Sequence, residues 1–491
     1  MAIQKKLISG LFWVLLLNLL IKPFWILGIE VGVQNVVGVA EYGLYITIFN
    51  LAYIFNILLD VGVTSFNTRN IAQHPHLISK HLPAILSLKV MLLALYAVVT
   101  FTMGLLKGYD SRHFLLLAFL TFNQFLNSLI LYLRSNFEGL LLFRWDSFLS
   151  ILDRLVMILI CGALLWLPSH PHFAIEYFVY AQTAAYLFTA AVALGVLFRR
   201  VGIRRLRFSK PFTVAILKQS LPFALLVLLM ACYNRIDPLL LEDLAPQGTG
   251  LYQAGIYNGA FRLLDAITMI AYLVSVPLLP IYSRLCGEIS RGHQEQQAES
   301  PQSQLASTTR IVFSAMMVFA ITVAIALSAL SDQLMGLLYN EAIDQYAAVF
   351  RVLIFGIIPI SITYVFGTLL TANGSLKQLN ILAATTLGVN LVVNLLLIPR
   401  IGAVGSAWAS LIAQSFMAIT QLVIALRIFN MRPSAKYILK LVYFTLVMIG
   451  CAHFSSLWSP SLLVYGVIAL VMAILTKLID PYELIKIAKQ E

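Results

Sequence analysis

Charged side chains inside long apolar stretches are the residues of this sequence best placed to bind a ligand. The basic ones are Arg262, Lys22, Arg235, Arg154 and Arg351. The acidic ones are Asp265, Asp237, Asp153 and Asp60. A charge at bilayer depth costs at least about 2.5–3.5 kcal/mol, so it normally faces a protein interior or water. These residues are therefore predicted to line a cavity, with the carboxylates balancing the cations or carrying a coupling ion.

The basic residues outnumber the carboxylates at depth, because Asp60 lies near the inner end of its apolar stretch. This surplus favours an anionic ligand, since the planar guanidinium of arginine binds phosphate oxygens in a bidentate manner. A cation-coupled drug exporter is expected to carry the opposite surplus. A structural salt bridge is an equally good interpretation of Arg262 and Asp265, which lie three residues apart on one helix face. Asp153 and Arg154 point about 100° apart on a helix and need not pair.

Composition indicates which elements must position these charges. Of the 491 residues, 60% are hydrophobic and 11% are charged, whereas a soluble domain is about half apolar and a quarter charged. Because a helix needs about 20 apolar residues to cross the bilayer, the sequence predicts an all-α polytopic membrane protein with about 14 transmembrane helices. The predicted spans are 7–28, 40–62, 82–106, 113–134, 145–167, 173–198, 213–236, 252–281, 308–330, 346–371, 376–399, 403–427, 436–456 and 460–479.

The basic residues follow an alternating topology across these spans. With the N-terminus inside, all but eight of the 33 Lys and Arg residues are assigned to the inner loops, Lys89 among them. The exceptions are Lys22, Lys107, Arg112, Arg154, Arg235, Arg262, Arg351 and Arg400. Because positive loops stay in the cytoplasm, both termini are predicted to be cytoplasmic and the protein to lie in the cytoplasmic (inner) membrane. The same bias explains the net charge of +12 without nucleic acid binding.

A short motif recurs at corresponding places in the two halves of the chain. Gly43-Leu44-Tyr45 with Phe49 opens the second span, and Gly255-Ile256-Tyr257 with Phe261 opens the eighth. Internal repeats of this kind are typical of secondary transporters, whose binding site lies where the repeats meet. The sequence therefore predicts an N-terminal lobe over 1–200, a C-terminal lobe over 201–430, and two added spans with a cytoplasmic tail over 431–491.

The sequence lacks the common motifs of catalysis and of metal binding. It contains no G-x-x-x-x-G-K-[ST] loop, no H-E-x-x-H pair and no G-x-S-x-G turn. The four cysteines are far apart and have no ligand-like spacing, which argues against a disulfide framework and a zinc site. They are Cys161, Cys232, Cys286 and Cys451. We therefore expect neither a cofactor nor an enzymatic activity.

Several short motifs occur in a fixed order over residues 40–410. The first half carries Tyr42-Gly43, Asp60-Val61-Gly62 and Thr68-Arg69-Asn70-Ile71-Ala72. The second half carries Leu221-Pro222, Arg235-Ile236-Asp237, Gly250-Leu251-Tyr252-Gln253-Ala254-Gly255-Ile256-Tyr257 with Pro277 and Pro280, and Ile398-Pro399-Arg400-Ile401-Gly402-Ala403-Val404-Gly405-Ser406-Ala407. Together these motifs resemble those of the polysaccharide-unit flippases of the Wzx type. Arg154 matches none of them. The family belongs to the multidrug/oligosaccharidyl-lipid/polysaccharide exporter (MOP) superfamily, which also holds multidrug exporters and the lipid II flippase.

The resemblance implies two six-helix lobes in a MATE-like arrangement, with two C-terminal helices added, around a cationic cavity. It implies a flippase that moves a polyprenyl-pyrophosphate-linked oligosaccharide from the inner to the outer leaflet by alternating access. The implied partners are this lipid, the bilayer and, as a candidate, the polysaccharide polymerase machinery. Two alternatives stay open, a cation-coupled multidrug exporter and, more distantly, a membrane-embedded glycosyl polymerase.

Overall fold

The computed structural model describes most of the chain and shows it to be helical. The described residues are 21, 24–64, 67, 71, 78–140, 142–166, 173–201, 225–246, 248–275, 278–290, 300–431, 434–454 and 462–478. Lys22 and the arginine-rich stretch 202–210 lie outside them. Within the described ranges every regular element is a helix and none is a strand, which confirms the all-α prediction.

Seventeen helices, numbered here in chain order, are used below. Those up to residue 244 are α1 Trp25–Val37, α2 Val39–Ile54, α3 Ile78–Leu106, α4 Ser111–Gly139, α5 Phe143–Trp166, α6 Ile175–Val201, α7 Leu225–Arg235 and α8 Asp237–Leu244. The others are α9 Gly250–Ser275, α10 Leu278–Ser290, α11 Pro301–Ala329, α12 Ser331–Leu338, α13 Ile343–Leu353, α14 Ile357–Ala372, α15 Leu376–Ile428, α16 Ala435–Phe454 and α17 Leu462–Leu475.

The described part of the chain contains nine helices that are long and apolar enough to cross a membrane. The protein is therefore an integral membrane protein. One of the nine, α15, is broken at Ile401 and Gly402, where Gly402 has a φ of 55°. The break follows Pro399, which removes a helical hydrogen bond, and Gly402 accommodates the positive φ because it has no side chain. The break lies between the predicted spans 376–399 and 403–427.

The fold divides into two compact units, residues Met1–Asn258 and Gly259–Glu491, with the division inside α9. In unit 1, α4 packs against α2, α3, α5 and α6, so it forms the centre of the unit. The carboxylate of Asp110 caps α4 by accepting a hydrogen bond from the backbone N–H of His113 at 2.9 Å. That hydrogen bond lowers the pKa of Asp110 below its usual range.

Ion pairs hold the ends of several helices in unit 1. Arg112, at the start of α4, binds Glu41 at 2.6 Å and Glu176 at 2.8 Å, which lie at the starts of α2 and α6. Lys107, after α3, forms ion pairs with Glu242 and Asp243 near the end of α8. Both cations are exceptions to the inner-side rule, and each has carboxylate partners.

In unit 2, α14 packs against α10, α11 and α15. Two glycines of this packing make room for glutamine side chains of α15. A Cβ atom on Gly367 would lie 3.0 Å from Oε1 of Gln421, and one at Gly356 would lie 3.2 Å from Oε1 of Gln414. Both glutamines are buried. The C-terminal helices α16 and α17 pack on α11 and on each other.

The glycines of the repeated motif bring α2 and the start of α9 into backbone contact within unit 1. A Cβ atom on Gly43 would lie 1.8 Å from the carbonyl oxygen of Leu251, and one on Gly255 would lie 2.2 Å from that of Val39. The side-chain amide of Gln34 donates to the carbonyl of Gly255 at 3.2 Å. Only hydrogen atoms in place of side chains permit this approach.

We predict that Gly43→Ala and Gly255→Ala each lower the thermal unfolding midpoint of the detergent-solubilised protein. Overpacking of this kind costs about 1–3 kcal/mol. Gly195→Ala and Gly388→Ala are matched controls, because a Cβ atom at either position meets no other atom within 4 Å and alanine favours the helix. Equal midpoints for the two pairs of variants would show that the contact does not constrain the fold.

Lys89 ties the end of α2 to α3 and α4. Its side chain is 1% exposed, and its ammonium group donates to the carbonyl of Leu59, to Asp60 Oδ1 and to Ser128 Oγ, each at 2.8 Å. The assignment of Lys89 to an inner loop is therefore wrong. The chain leaves α2 through a 3₁₀ turn and a left-handed residue, Val61, with a φ of 43°. Lys89 binds the carbonyl and carboxylate that this turn presents.

Replacing Lys89 with methionine removes one donor from three acceptors, of which the Leu59 carbonyl keeps the Ser128 hydroxyl and Asp60 keeps the Thr64 hydroxyl. Breaking a buried ion pair costs about 3–5 kcal/mol, an upper value here because Asp60 is 28% exposed. We expect Lys89→Met to reduce the amount of folded protein in membranes, and Asp60→Asn to recover part of it in the double variant. Lys436→Met, at an exposed position of α16, is the control. An undiminished level of the single variant would refute a structural role for the pair.

Candidate functional site

Arg154 is the charged residue of unit 1 whose surroundings the structure describes most fully. It lies in α5, and its Nε is 3.6 Å from Oδ2 of Asp153. The carbon of its guanidinium group is 5.2 Å from the ring centroid of Trp25. The Arg154 side chain is 29% exposed. A carboxylate and an aromatic face thus surround the guanidinium of a side chain that is partly exposed.

An aromatic cluster forms the wall beside Arg154. Trp25 is 4% exposed and stacks on Phe178 with the ring centroids 5.9 Å apart, and Tyr45 meets Phe178 edge-on at 5.2 Å. The indole N–H of Trp25 donates to Glu30 Oε1 at 2.9 Å. Glu30 and Tyr45 also interact electrostatically with Arg154. The cluster therefore combines two acidic groups and several rings around one cation.

A chain of buried hydrogen bonds continues from this cluster across α4 and α6. Tyr186 interacts electrostatically with Arg154 and accepts a hydrogen bond from Gln182 at 3.4 Å. Gln182 accepts from Asn123 at 3.2 Å, and Asn123 accepts from Thr183 at 2.7 Å. Because buried polar networks of this kind fix side-chain positions, the surroundings of Arg154 are pre-organised.

Sequence reasoning missed Trp25, Glu30, Tyr45 and Tyr186. Residues Trp25–Glu30 form a π-helical turn, a rare feature that often occurs at functional sites. The predicted first span ended at residue 28, so Glu30 fell outside it. A boundary extended by one turn would have included Glu30, but no pattern distinguishes these aromatic residues from ordinary packing.

Arg235 and Asp237 flank the junction between α7 and α8. The guanidinium carbon of Arg235 is 5.4 Å from the ring centroid of Tyr53 in α2. Asp237 is fully buried and accepts a hydrogen bond from the hydroxyl of Tyr257 at 2.6 Å. Tyr257 is the tyrosine of the second repeated motif, so this motif supplies both a glycine contact and a carboxylate partner.

In unit 2, Arg262 lies in α9 and is 5% exposed, while Asp265, three residues later, is partly exposed. The sequence predicts that Arg262 lies near the middle of a membrane span, and a charged group there is expected to be buried in the protein. Arg351 differs, because its side chain is 50% exposed, pairs with Asp332 and donates to the hydroxyl of Ser331 at 2.7 Å. The comparison of basic and acidic residues in the sequence left out Asp332, so it counted Arg351 as a cation without a carboxylate.

Asp60, the remaining acidic candidate, pairs with Lys89 in unit 1 as described above. Among the described residues, no group of three or more His, Cys, Asp or Glu side chains is arranged to hold a metal ion.

Comparisons with known proteins place these features in a family. The sequence matches the family model described as polysaccharide biosynthesis protein over residues 7–286. A comparison with curated protein sequences returned no match.

Solved structures with a similar fold include a lipid flippase and membrane transporters. The lipid II flippase MurJ in an inward closed conformation is similar with a TM-score of 0.69 and 12% identity, covering 96% of this chain and 97% of that one. An inward-facing multidrug resistance MATE family transporter gives 0.63 and 15%, covering 84% and 94%. A MOP superfamily transporter from Pyrococcus furiosus gives 0.57 and 15%, covering 86% and 94%.

The match to the family model covers more than half of the chain, and the all-helical fold is that of the solved transporters. The chain belongs to the family of polysaccharide biosynthesis proteins and has the fold of the MOP superfamily transporters.

Proposed function

We propose that this protein is a flippase that moves a polyprenyl-pyrophosphate-linked oligosaccharide from the inner to the outer leaflet of the cytoplasmic membrane. The polar head of such a lipid cannot cross about 30 Å of hydrocarbon unaided, while its polyprenyl tail stays in the bilayer. The cycle is alternating access, in which the substrate shifts the populations of states open to either side. Surface polysaccharide biosynthesis is the process that the transport supplies.

The observation that carries this proposal is the presence of guanidinium groups among the membrane-spanning helices of a polysaccharide biosynthesis protein. Arg154 and Arg235 lie over aromatic rings, and Arg262 is 5% exposed. Arginine binds phosphate oxygens through parallel hydrogen bonds. A pyrophosphate is therefore the ligand to which these side chains are best suited.

Disrupting the gene is expected to abolish surface polysaccharide while the lipid-linked units accumulate in the cell. Surface polysaccharide is measured by immunoblotting, and the lipid-linked units by mass spectrometry of extracted lipids. Unchanged surface polysaccharide in the disrupted strain would contradict the proposal.

The same strain separates the two alternative functions. A multidrug exporter predicts raised drug susceptibility with normal polysaccharide. A glycosyl polymerase predicts that single units still reach the surface while long chains are lost.

Arg262 offers the sharpest residue-level test of the proposed function. We expect Arg262→Ala to abolish export at a normal level of protein in the membrane, and Arg262→Lys to retain part of it. Lysine keeps the charge but lacks the planar fork that binds two oxygens. Export is measured as surface polysaccharide per amount of membrane-bound protein.

A purely structural role for Arg262 makes the opposite prediction. In that case Arg262→Ala lowers the amount of protein, and the double variant with Asp265→Ala restores both amount and export. An active double variant at normal abundance would remove Arg262 from the substrate site.

A further inference from the structure

One face of α2 departs from the burial of the rest of the helix. Phe49 and Tyr53 are partly exposed, and so is Asn56 in the 3₁₀ turn that follows. Positions four and seven residues apart lie on the same side of a helix. Phe49 and Tyr53 thus form one accessible strip of two aromatic rings, and the amide of Asn56 follows in a turn whose residues 55–58 are all partly exposed.

The two rings of this strip continue an aromatic ladder from the buried part of α2. Tyr42 and Tyr45 have centroids 5.6 Å apart, Tyr45 and Phe49 5.9 Å, and Phe49 and Tyr53 5.9 Å. The rings of Phe49 and Tyr53 are within 24° of parallel. Tyr42 and Tyr45 are buried, so they hold the ladder while its last two rings remain accessible.

The polar neighbours of the strip distinguish it from a lipid-facing surface. An exposed strip of α3, one of the helices long and apolar enough to cross a membrane, is apolar and includes Val90, Met91, Leu95 and Val98. The α2 strip is instead followed by Asn56, and the guanidinium of Arg235 lies 5.4 Å from the Tyr53 ring centroid. A guanidinium and an amide beside lipid tails would be unfavourable. The strip therefore faces water or a polar ligand.

We propose that Phe49 and Tyr53 form the platform on which the sugar of the transported lipid stacks, beside Arg235, which binds its pyrophosphate. This inference rests on the proposed function. A sugar ring has an apolar face of C–H groups that packs on aromatic rings, and hydroxyls that hydrogen-bond to amides such as Asn56. The first sugar is bonded to the pyrophosphate, so a lipid-linked oligosaccharide presents both chemistries next to each other, as the strip does.

The test compares binding of two lipids that differ only in the sugar. The probes are undecaprenyl pyrophosphate and the lipid-linked oligosaccharide that accumulates in the gene-disrupted strain, each titrated onto the full-length protein in nanodiscs. We expect the double variant Phe49→Leu with Tyr53→Leu to weaken the binding of undecaprenyl pyrophosphate only by the cation–π contact that Arg235 loses with Tyr53, about two- to fivefold. Its affinity for the sugar-bearing lipid falls by about a further tenfold. Arg235→Gln weakens the binding of both lipids.

Matched controls exclude general effects of removing rings. Tyr177→Leu with Phe188→Leu removes one Tyr and one Phe from exposed positions of α6 and is expected to leave both Kd values unchanged. Tyr53→Phe keeps the ring and is expected to retain the sugar-dependent affinity. If the double variant lacks a thermal transition, Phe49→Leu alone is measured, with an expected loss of about threefold for the sugar-bearing lipid only.

The outcomes separate this inference from the function on which it rests. An unchanged Kd of the double variant for the sugar-bearing lipid, or an equal loss for both lipids, overturns the platform and leaves the flippase function in place. If no lipid-linked oligosaccharide accumulates in the disrupted strain, the proposed function itself fails.

Discussion

The cost of placing charge among membrane-spanning helices is the constraint on which the rest of this structure depends. A charged group away from water requires polar or aromatic partners, and the partners of these charges connect helices that follow one another in the chain. Lys89 joins α3 to the end of α2 and to α4. Asp237 joins the start of α8 to Tyr257 in α9. The charged residues that are candidates for function are thus also among those that hold the helices in place.

The repeated motif provides the other fixed contact of unit 1. Gly43 and Gly255 occupy equivalent places in the two copies, and each meets the backbone of the helix that carries the other. The tyrosine two residues after each glycine has a different task in each copy. Tyr45 packs on Phe178 near Arg154, whereas Tyr257 binds Asp237. The two copies of the motif thus share a backbone contact, while their tyrosines make different side-chain contacts.

The sequence predicts the helices well because a membrane span requires a long apolar run and the basic residues concentrate on one side of the membrane. It also indicates which charges lie in helices, as Arg154, Arg235 and Arg262 illustrate. Their partners are beyond its reach, because a partner is chosen by the tertiary fold. From the sequence alone, Lys89 is assigned to a loop, whereas the structure shows it buried against Asp60. Arg351 likewise counts as surplus charge in the sequence, whereas the structure pairs it with Asp332. The π-helical turn that brings Glu30 near Arg154 likewise has no signature in the apolar pattern.

The kind of partner determines what a buried cation can still do. The ion pair of Lys89 with Asp60 cancels the charge of both groups, so it contributes a fixed joint and little field. An aromatic face stabilises a guanidinium through its quadrupole and adds no negative charge. The rings of Trp25 and Tyr53 thus lower the cost of placing Arg154 and Arg235 among the helices and add no negative charge. Arg154 combines such a ring with the carboxylate of Asp153 at 3.6 Å, a longer contact than the 2.8 Å between Lys89 and Asp60, so less of its charge is offset. An aromatic partner leaves a cation able to bind a phosphate without first breaking an ion pair.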